Sequence, residues 1–315
     1  MVQYFMEAMV LRIKKLAAIA AVIVIIFACI TVCGCSNRKN TDPLDSAVNY
    51  LIKNIDMLTV GSAGGDWTAM ILAEIESHNE LVNVYRENAR LYISEKGGVL
   101  HNTRCTEYSR VVLALDAVGE NPRDIGGYNI VTPLLNFEAV TKQGVNGAAW
   151  ALIALDAVDD NSGDIAAVRE DYISYILSAQ NDDGSIGGLV GSEVDMTAMC
   201  LRALAPYTER ADIASVCDSG VKFIAERQVA SGGFPSLYGE SSETVSQVLL
   251  AFDALGVPLD DSRLNAGVSL IDVLLSYQNR DGGFSHNIDG ESNLIATEQA
   301  VLALLEYEAL SEVTE

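Results

Sequence analysis

The sequence predicts an all-α fold, an (α/α)6 toroid of six helical hairpin repeats, on three observations. A hexapeptide recurs as ALDAVG (Ala114–Gly119), ALDAVD (Ala154–Asp159) and AFDALG (Ala251–Gly256). A loop with the spacing Gln-x-x-x-Gly-x-apolar recurs as QNDDGSI (180–186), QVASGGF (228–234) and QNRDGGF (278–284). Between these marks, amphipathic helical segments alternate with segments that are apolar on nearly every side, and no run alternates as a half-buried strand does.

The first 34 residues stand apart from the repeats. Arg12, Lys14 and Lys15 precede an unbroken apolar run from Leu16 to Val32, the pattern of a secretion signal. The run ends in VCGCS (32–36), which resembles the lipobox of bacterial lipoproteins and implies cleavage before Cys35 and lipidation of that residue. An uncut membrane anchor is the alternative, and both place the folded part outside the cytoplasm, anchored to the cell membrane. Residues 35–45 are polar and read as a tether, residues 46–309 as the toroid and 310–315 as a tail.

The chain's net charge is −23, of which the leader supplies +2 (Arg12, Lys14, Lys15 against Glu7), leaving −25 on the remainder. Such a charge opposes nucleic acid and anionic membrane surfaces. Beyond Cys35 only Cys105, Cys200 and Cys217 remain, without a Cys-x-x-Cys pair, so neither a disulfide framework nor a zinc knuckle is expected.

With the first alanine of each hexapeptide as register mark, equivalents follow at Ala73, Ala203 and Ala303. The six marks then stand at 73, 114, 154, 203, 251 and 303. Each lies in an inner, all-apolar helix that must be buried on several sides. Upstream of most lies an amphipathic outer segment, such as ELVNVYRENARLYISE (80–95), with apolar residues three and four apart. In the loop between, glycine ends the outer helix and permits positive φ, glutamine can bond backbone, and Phe234 or Phe284 covers the seam between units. The loop reads as a structural joint rather than a catalytic one. The third unit, around Gln143, fits the pattern poorly.

The stretches VLLSYQNRDGGF (273–284), FIAERQVASGGF (223–234) and YILSAQNDDGSI (175–186) resemble the QW-type repeats of squalene-hopene cyclases and the repeats of protein prenyltransferase β subunits. That resemblance implies a terpenoid cyclase-like alpha-alpha toroid. Glycine turns precede all six inner helices, so their positive N-terminal ends converge at one rim. Asp66, Glu107, Asp195, Glu243 and Glu298 fall within one turn of equivalent places there, accompanied by Trp67, Tyr108 and Trp150. These are the candidate ligand-binding residues of an acidic, aromatic cavity mouth, or else first-turn acids that stabilise their helices.

Asp195 has a sharper resemblance. EVDMTAM (193–199) looks like the Asp-x-Asp-Asp-Thr-Ala motif with which class II terpene cyclases protonate an alkene. Glu193 stands for the first Asp, Asp195 for the proton donor, and Met196 replaces the third. The resemblance implies Asp195 and Glu193 as catalytic residues, with Trp67 assisting. Those cyclases are built from two barrels and this chain has the length of one, which weighs against the assignment.

Other branches of the superfamily fit less well. No inner helix begins Asp-x-Cys as in zinc-dependent prenyltransferases, so no metal is expected, and His101 and His286 read as loop residues. CTEY (105–108) lacks the Gln of the complement thioester. Transcobalamin-type carriers use a similar toroid without catalysis. Three functions therefore stay open: a tethered toroid binding a ligand or partner at its mouth, a single-barrel cyclase or prenyltransferase-like enzyme, and a structural surface protein without ligand. The partners implied are an apolar or corrinoid-like small molecule or a cell-surface protein. No cofactor is identified.

Overall fold

A computed structural model describes residues 42–311 except 77, 159–162, 189–190, 237–238 and 265–266. The expected leader, the lipidation site Cys35 and most of the expected tether lie outside the described residues.

Outer and inner helices alternate along the chain. The outer ones are α1 (Pro43–Asn54), α3 (Asn79–Glu95), α5 (Phe137–Val140), α7 (Gly163–Ser178), α9 (Ala211–Arg227) and α11 (Leu270–Leu275). The inner ones are α2 (Trp67–Glu74), α4 (Cys105–Ala117), α6 (Gly144–Ala157), α8 (Glu193–Leu204), α10 (Ser242–Leu255) and α12 (Leu294–Ser311). Each inner helix touches the next, and α12 returns to α2, so the ring closes as expected. Among the described residues, extended structure is confined to the two-residue pair β1 (Pro235–Ser236) and β2 (Gly239–Glu240) and isolated bridges. No described helix is long and apolar enough to cross a membrane.

The alternation follows from burial. In α3 the buried residues are Val82, Tyr85, Ala89 and Ile93, one stripe at three- and four-residue spacing with water on the other side. In α6 Val145, Ala148, Ala149, Ala151, Leu152, Ala154 and Leu155 are buried, so only a narrow strip faces the lumen. Small alanines let inner helices approach one another closely. Each outer helix but the short α5 packs mainly on the inner helix before it in sequence, and α1 packs on α12 by the same rule carried round the ring.

The recurring loop is indeed a joint. Gln180, Gln228 and Gln278 each donate Nε2–H to the carbonyl of the turn glycine four residues on, at 3.2, 2.8 and 3.0 Å. Gln180 and Gln278 also reach the following outer helix, at the carbonyls of Val216 (3.0 Å) and Pro43 (2.7 Å). Ile186, Phe234 and Phe284 are fully buried, each contributing about 1.5–3 kcal/mol by burial. The amides of Ile186 and Phe284 donate to Thr197 and Thr297 at the start of the inner helix. Thus one loop fastens an outer helix, its neighbour and an inner helix together.

Four departures from expectation have physical causes. The toroid begins inside the expected tether, because Asp42 caps α1 by accepting from the Leu44 amide at 2.9 Å. Likewise α12 runs to Ser311, two residues into the expected tail. In the third unit the outer helix shrinks to α5 between two short turns, and Gln143 bonds Thr106 at the start of α4 instead of a turn glycine. Finally, the first unit's register is displaced by one: DWTAM (66–70) matches DMTAM (195–199) in burial residue for residue from Trp67 to Met70, so its mark is Glu74 and not Ala73.

One further asymmetry concerns α1. Gly282 approaches the Ser46 carbonyl as Gly184 approaches that of Ser219. Ser219 is mid-way along α9, whereas Ser46 is in the first turn of α1, so α1 corresponds to the second half of a full outer helix.

The joint that closes the ring is the most demanding one. Gly282 has φ +92°, and a Cβ there would sit 2.3 Å from the Ser46 oxygen. Gly97 has φ +60° with open space around it. Gly282→Ala is expected to destabilise the protein by more than about 3 kcal/mol and Gly97→Ala by only about 1 kcal/mol, as measured by urea unfolding. Equal losses would refute the joint's role in closure.

Candidate functional site

Inner-helix residues four before each mark face the lumen: Met70, Arg110, Trp150, Met199, Gln247 and Gln299 form one layer. Seven and eight before the mark lie about one turn nearer the glycine-turn rim. Asp66, the residue before α2, and Asp195, on α8, are both eight before their marks and so occupy the same position on opposite sides of the ring.

Their surroundings differ. Asp66 is fully buried and saturated: Tyr85 donates its hydroxyl to Oδ1 at 2.6 Å, and Arg110 donates Nε–H to Oδ2 at 2.7 Å. Burial pushes this carboxyl up, and Arg110, Tyr85 and the Gly61 amide pull it back part of the way. Glu107 joins the network from the lumen side, accepting from Arg110 Nη2 at 2.5 Å. Arg110 therefore spends its charge on two carboxylates within the protein.

Asp195 keeps an oxygen free. Its Oδ1 is buried and has no hydrogen-bond partner. Burial raises its carboxyl above the ordinary range, the Thr244 hydroxyl opposes this, the Glu243 charge adds to it and His286 opposes it. Glu243 is held on the rim by His286, whose Nδ1 lies 2.8 Å from Oε2. Unlike a helix cap, Asp195 accepts no bond from its own helix start; Glu193 does turn back, accepting from the Gly191 amide at 2.7 Å. Glu193 thus supports the loop, and no bond links it to Asp195.

The remaining predicted residues separate into lumen and wall. Trp67 and Trp150 meet across the lumen, ring centroids 5.4 Å apart and planes inclined at 52°. Tyr108 points to the wall, its hydroxyl accepting from the Leu100 amide at 3.0 Å. Glu298, five before its mark, is turned about 100° away from the lumen-facing position and is fully buried between α12 and α2. Its Oε1 accepts from the amides of Gly64 (3.0 Å) and Thr68 (3.1 Å) and from the Thr68 hydroxyl (2.6 Å), while Oε2 has no partner. Burial raises its pKa to about 7, against these three bonds and with help from the Asp66 charge.

At the other end of the ring the inner helices' C-termini carry Arg202, near Asp253 and Glu306. Two cavities open there, one of about 320 Å³ bounded by Leu249, Asp253, Val257 and Tyr307, the other of about 270 Å³ bounded by Ile153, Asp156, Arg202 and Ala254. Cys105, Cys200 and Cys217 are buried free thiols. Among the described residues no group of His, Cys, Asp or Glu is arranged to hold a metal ion. His101 accepts from the Thr103 and Arg104 amides in its own loop.

Sequence reasoning passed over Arg110, Thr244, Gln247 and Gln299. A signal was available for three of them: Arg110, Gln247 and Gln299 are polar residues at one position of the repeat, four before the mark.

The sequence matches the prenyltransferase alpha-alpha toroid domain over residues 124–248 and again over 244–315. Drimenyl diphosphate synthase from Streptomyces showdoensis is 29% identical over 136 residues, 41% of this chain and only a quarter of that protein. A type II terpene cyclase from Scytonema superposes with a TM-score of 0.59 at 13% identity, covering 85% of this chain and 97% of its own. A point variant of that enzyme has also been solved with geranylgeranyl dihydroxybenzoate as substrate (TM-score 0.56, 12% identity, 85% and 97% covered). Unsaturated glucuronyl hydrolase from Bacillus sp. GL1 superposes at 0.57 with 14% identity, over 85% and 95% of the two chains. These superpositions establish the fold that the chains share.

The Glu298 carboxyl makes a pH prediction. Its neutral form stabilises the fold fully below about pH 4.5, its ordinary value, and that contribution is lost as pH rises through about 7. Glu298→Gln keeps a neutral acceptor at every pH. Between pH 5 and 8 the wild type is therefore expected to lose roughly 3 kcal/mol relative to the variant, on the order of 5 °C in Tm. Parallel Tm curves for the two proteins would show that Glu298 is already ionised in the fold at pH 5.

Proposed function

The chain belongs to the prenyltransferase alpha-alpha toroid family, and on that premise we propose that its lumen takes up an apolar, prenyl-type molecule on which Asp195 acts as a proton donor. The observation behind this reading is the buried, partnerless Oδ1 of Asp195 on the lumen face of α8. Burial raises that carboxyl above its ordinary range, which favours the protonated form a proton donor needs. A free oxygen can then present that proton to a double bond without first breaking another bond.

The chemistry would run as follows. The Asp195 O–H bond breaks and a C–H bond forms at the less substituted carbon of an alkene, leaving a tertiary carbocation. A neighbouring double bond supplies the electron pair for a new C–C bond, and loss of a proton ends the sequence. The faces of Trp67 and Trp150 are suited to a passing cation, and Met196 and Met199 extend the apolar wall below the acid. The carboxylate left on Asp195 is reprotonated through the rim, where Glu243 and His286 stand.

The objection from length falls away, because the Scytonema enzyme is matched over nearly its whole chain by a single barrel of this size. Met196 still replaces one carboxylate of the motif that Asp195 resembles, which favours a second reading: a carrier that binds the same molecule and leaves it unchanged. Membrane attachment through Cys35 is part of either reading, and mass analysis of the chain extracted from membranes is expected to show it cleaved before Cys35 with acyl chains on that residue. An intact leader with Cys35 unmodified would rule out the lipid as its anchor.

The deciding experiment incubates the full chain with farnesyl and geranylgeranyl diphosphates and the corresponding alcohols, followed by mass analysis of the extracted products. Cyclised isomers are expected, with turnover reduced at least about 100-fold in Asp195→Asn at unchanged Tm. Binding without any cyclised product would establish the carrier instead. Full turnover by the variant would remove Asp195 from the chemistry.

A further inference from the structure

Gln247 and Gln299 stand side by side in the lumen layer, on α10 and α12. Gln247 donates Nε2–H to Gln299 Oε1 at 2.6 Å, and its own Oε1 is buried with no partner. The two residues are only 8% and 9% exposed. A buried amide oxygen left without a donor is destabilising, and an apolar pair of similar shape would pack there at no such cost. Reversing both amides does not remove the conflict, because the end of Gln247 that faces away from Gln299 is then a donor without an acceptor.

The layer's composition says what would satisfy that group. Met70, Trp150 and Met199 give it apolar walls, and Arg110, on the opposite side of the ring, is committed to Asp66 and Glu107. A hydroxyl on a bound molecule donates as well as accepts, so it matches Gln247 in either amide orientation. We propose that the Gln247–Gln299 pair is a hydrogen-bond subsite of the lumen that selects a ligand carrying a hydroxyl on an otherwise apolar skeleton. This rests on the reading that the lumen takes up a prenyl-type molecule, and it specifies the ligand's class as an isoprenoid alcohol rather than a hydrocarbon.

Trp67 and Trp150 are the chain's only tryptophans and both touch the lumen, so intrinsic fluorescence reports its occupancy. The test titrates the full chain with farnesol and with farnesene, its dehydration product, which has the same carbon skeleton with one more double bond in place of the hydroxyl. The wild type is expected to bind farnesol roughly three- to tenfold more tightly. In the Gln247→Leu/Gln299→Leu double variant, which removes both amides together, that preference is expected to vanish, with farnesene bound at least as tightly as before. A melting curve establishes that the variant is folded, and Gln247→Met/Gln299→Met replaces it should it unfold. Equal affinities in the wild type, or a preference surviving in the folded variant, would overturn the subsite while leaving lumen binding intact. Binding of neither compound would overturn both.

Discussion

Everything in this fold depends on the ring closing. Inner helices that are apolar nearly all round can be buried only if each has a neighbour on both sides, and in an open array the first and last would each lack one. The last inner helix therefore has to find the first. Glu298 makes that contact in polar terms, its single oxygen Oε1 gathering two amides and a hydroxyl from the start of α2. Gln278 and Gly282 make it on the outer layer, against Pro43 and Ser46. The carboxyl of Glu298 is costly to bury, and the seam it occupies is the one place where the chain's connectivity gives no help.

Closure sets two equivalent aspartates facing across a lumen and then treats them differently. Asp66 lies near the seam and is consumed by Tyr85 and Arg110. Asp195 lies in the fourth unit, away from the seam, where neighbouring α10 offers Thr244 and Glu243 but no cation as close as Arg110 is to Asp66. One position in the repeat thus holds an acid with both oxygens bonded in one unit and an acid with an unbonded oxygen in another. The difference comes from the neighbouring helix rather than from the residue itself.

Most of the architecture was legible in the sequence, because a repeat exposes its own rules. The joint loops, the buried inner helices and the phenylalanines at the seams follow from spacing and apolar pattern. The candidate site was legible only in part. Five acids near one rim suggested one acidic mouth, but an offset of a single residue turns a side chain by about 100°. Glu298 therefore faces the wall and Asp195 the lumen. The one-residue slip in the first unit arose from trusting the apolar mark Ala73 over the polar match of DWTAM to DMTAM, which is the better guide because the polar residues are fixed by the joint. Tyr108 and Glu193 could not be placed by pattern, since each is held by a loop amide whose position only the fold determines. The glutamine pair was readable as two polar residues in apolar helices, yet its meaning lies in two helices 52 residues apart coming together.

The shortened first helix has a consequence for how the ring is mounted. Because α1 corresponds to the second half of a full outer helix, the chain joins the barrel at its flank, midway between the two rims. Asp42 therefore stands on the outer wall, like the fixing point of a handle on a cup, and away from either rim.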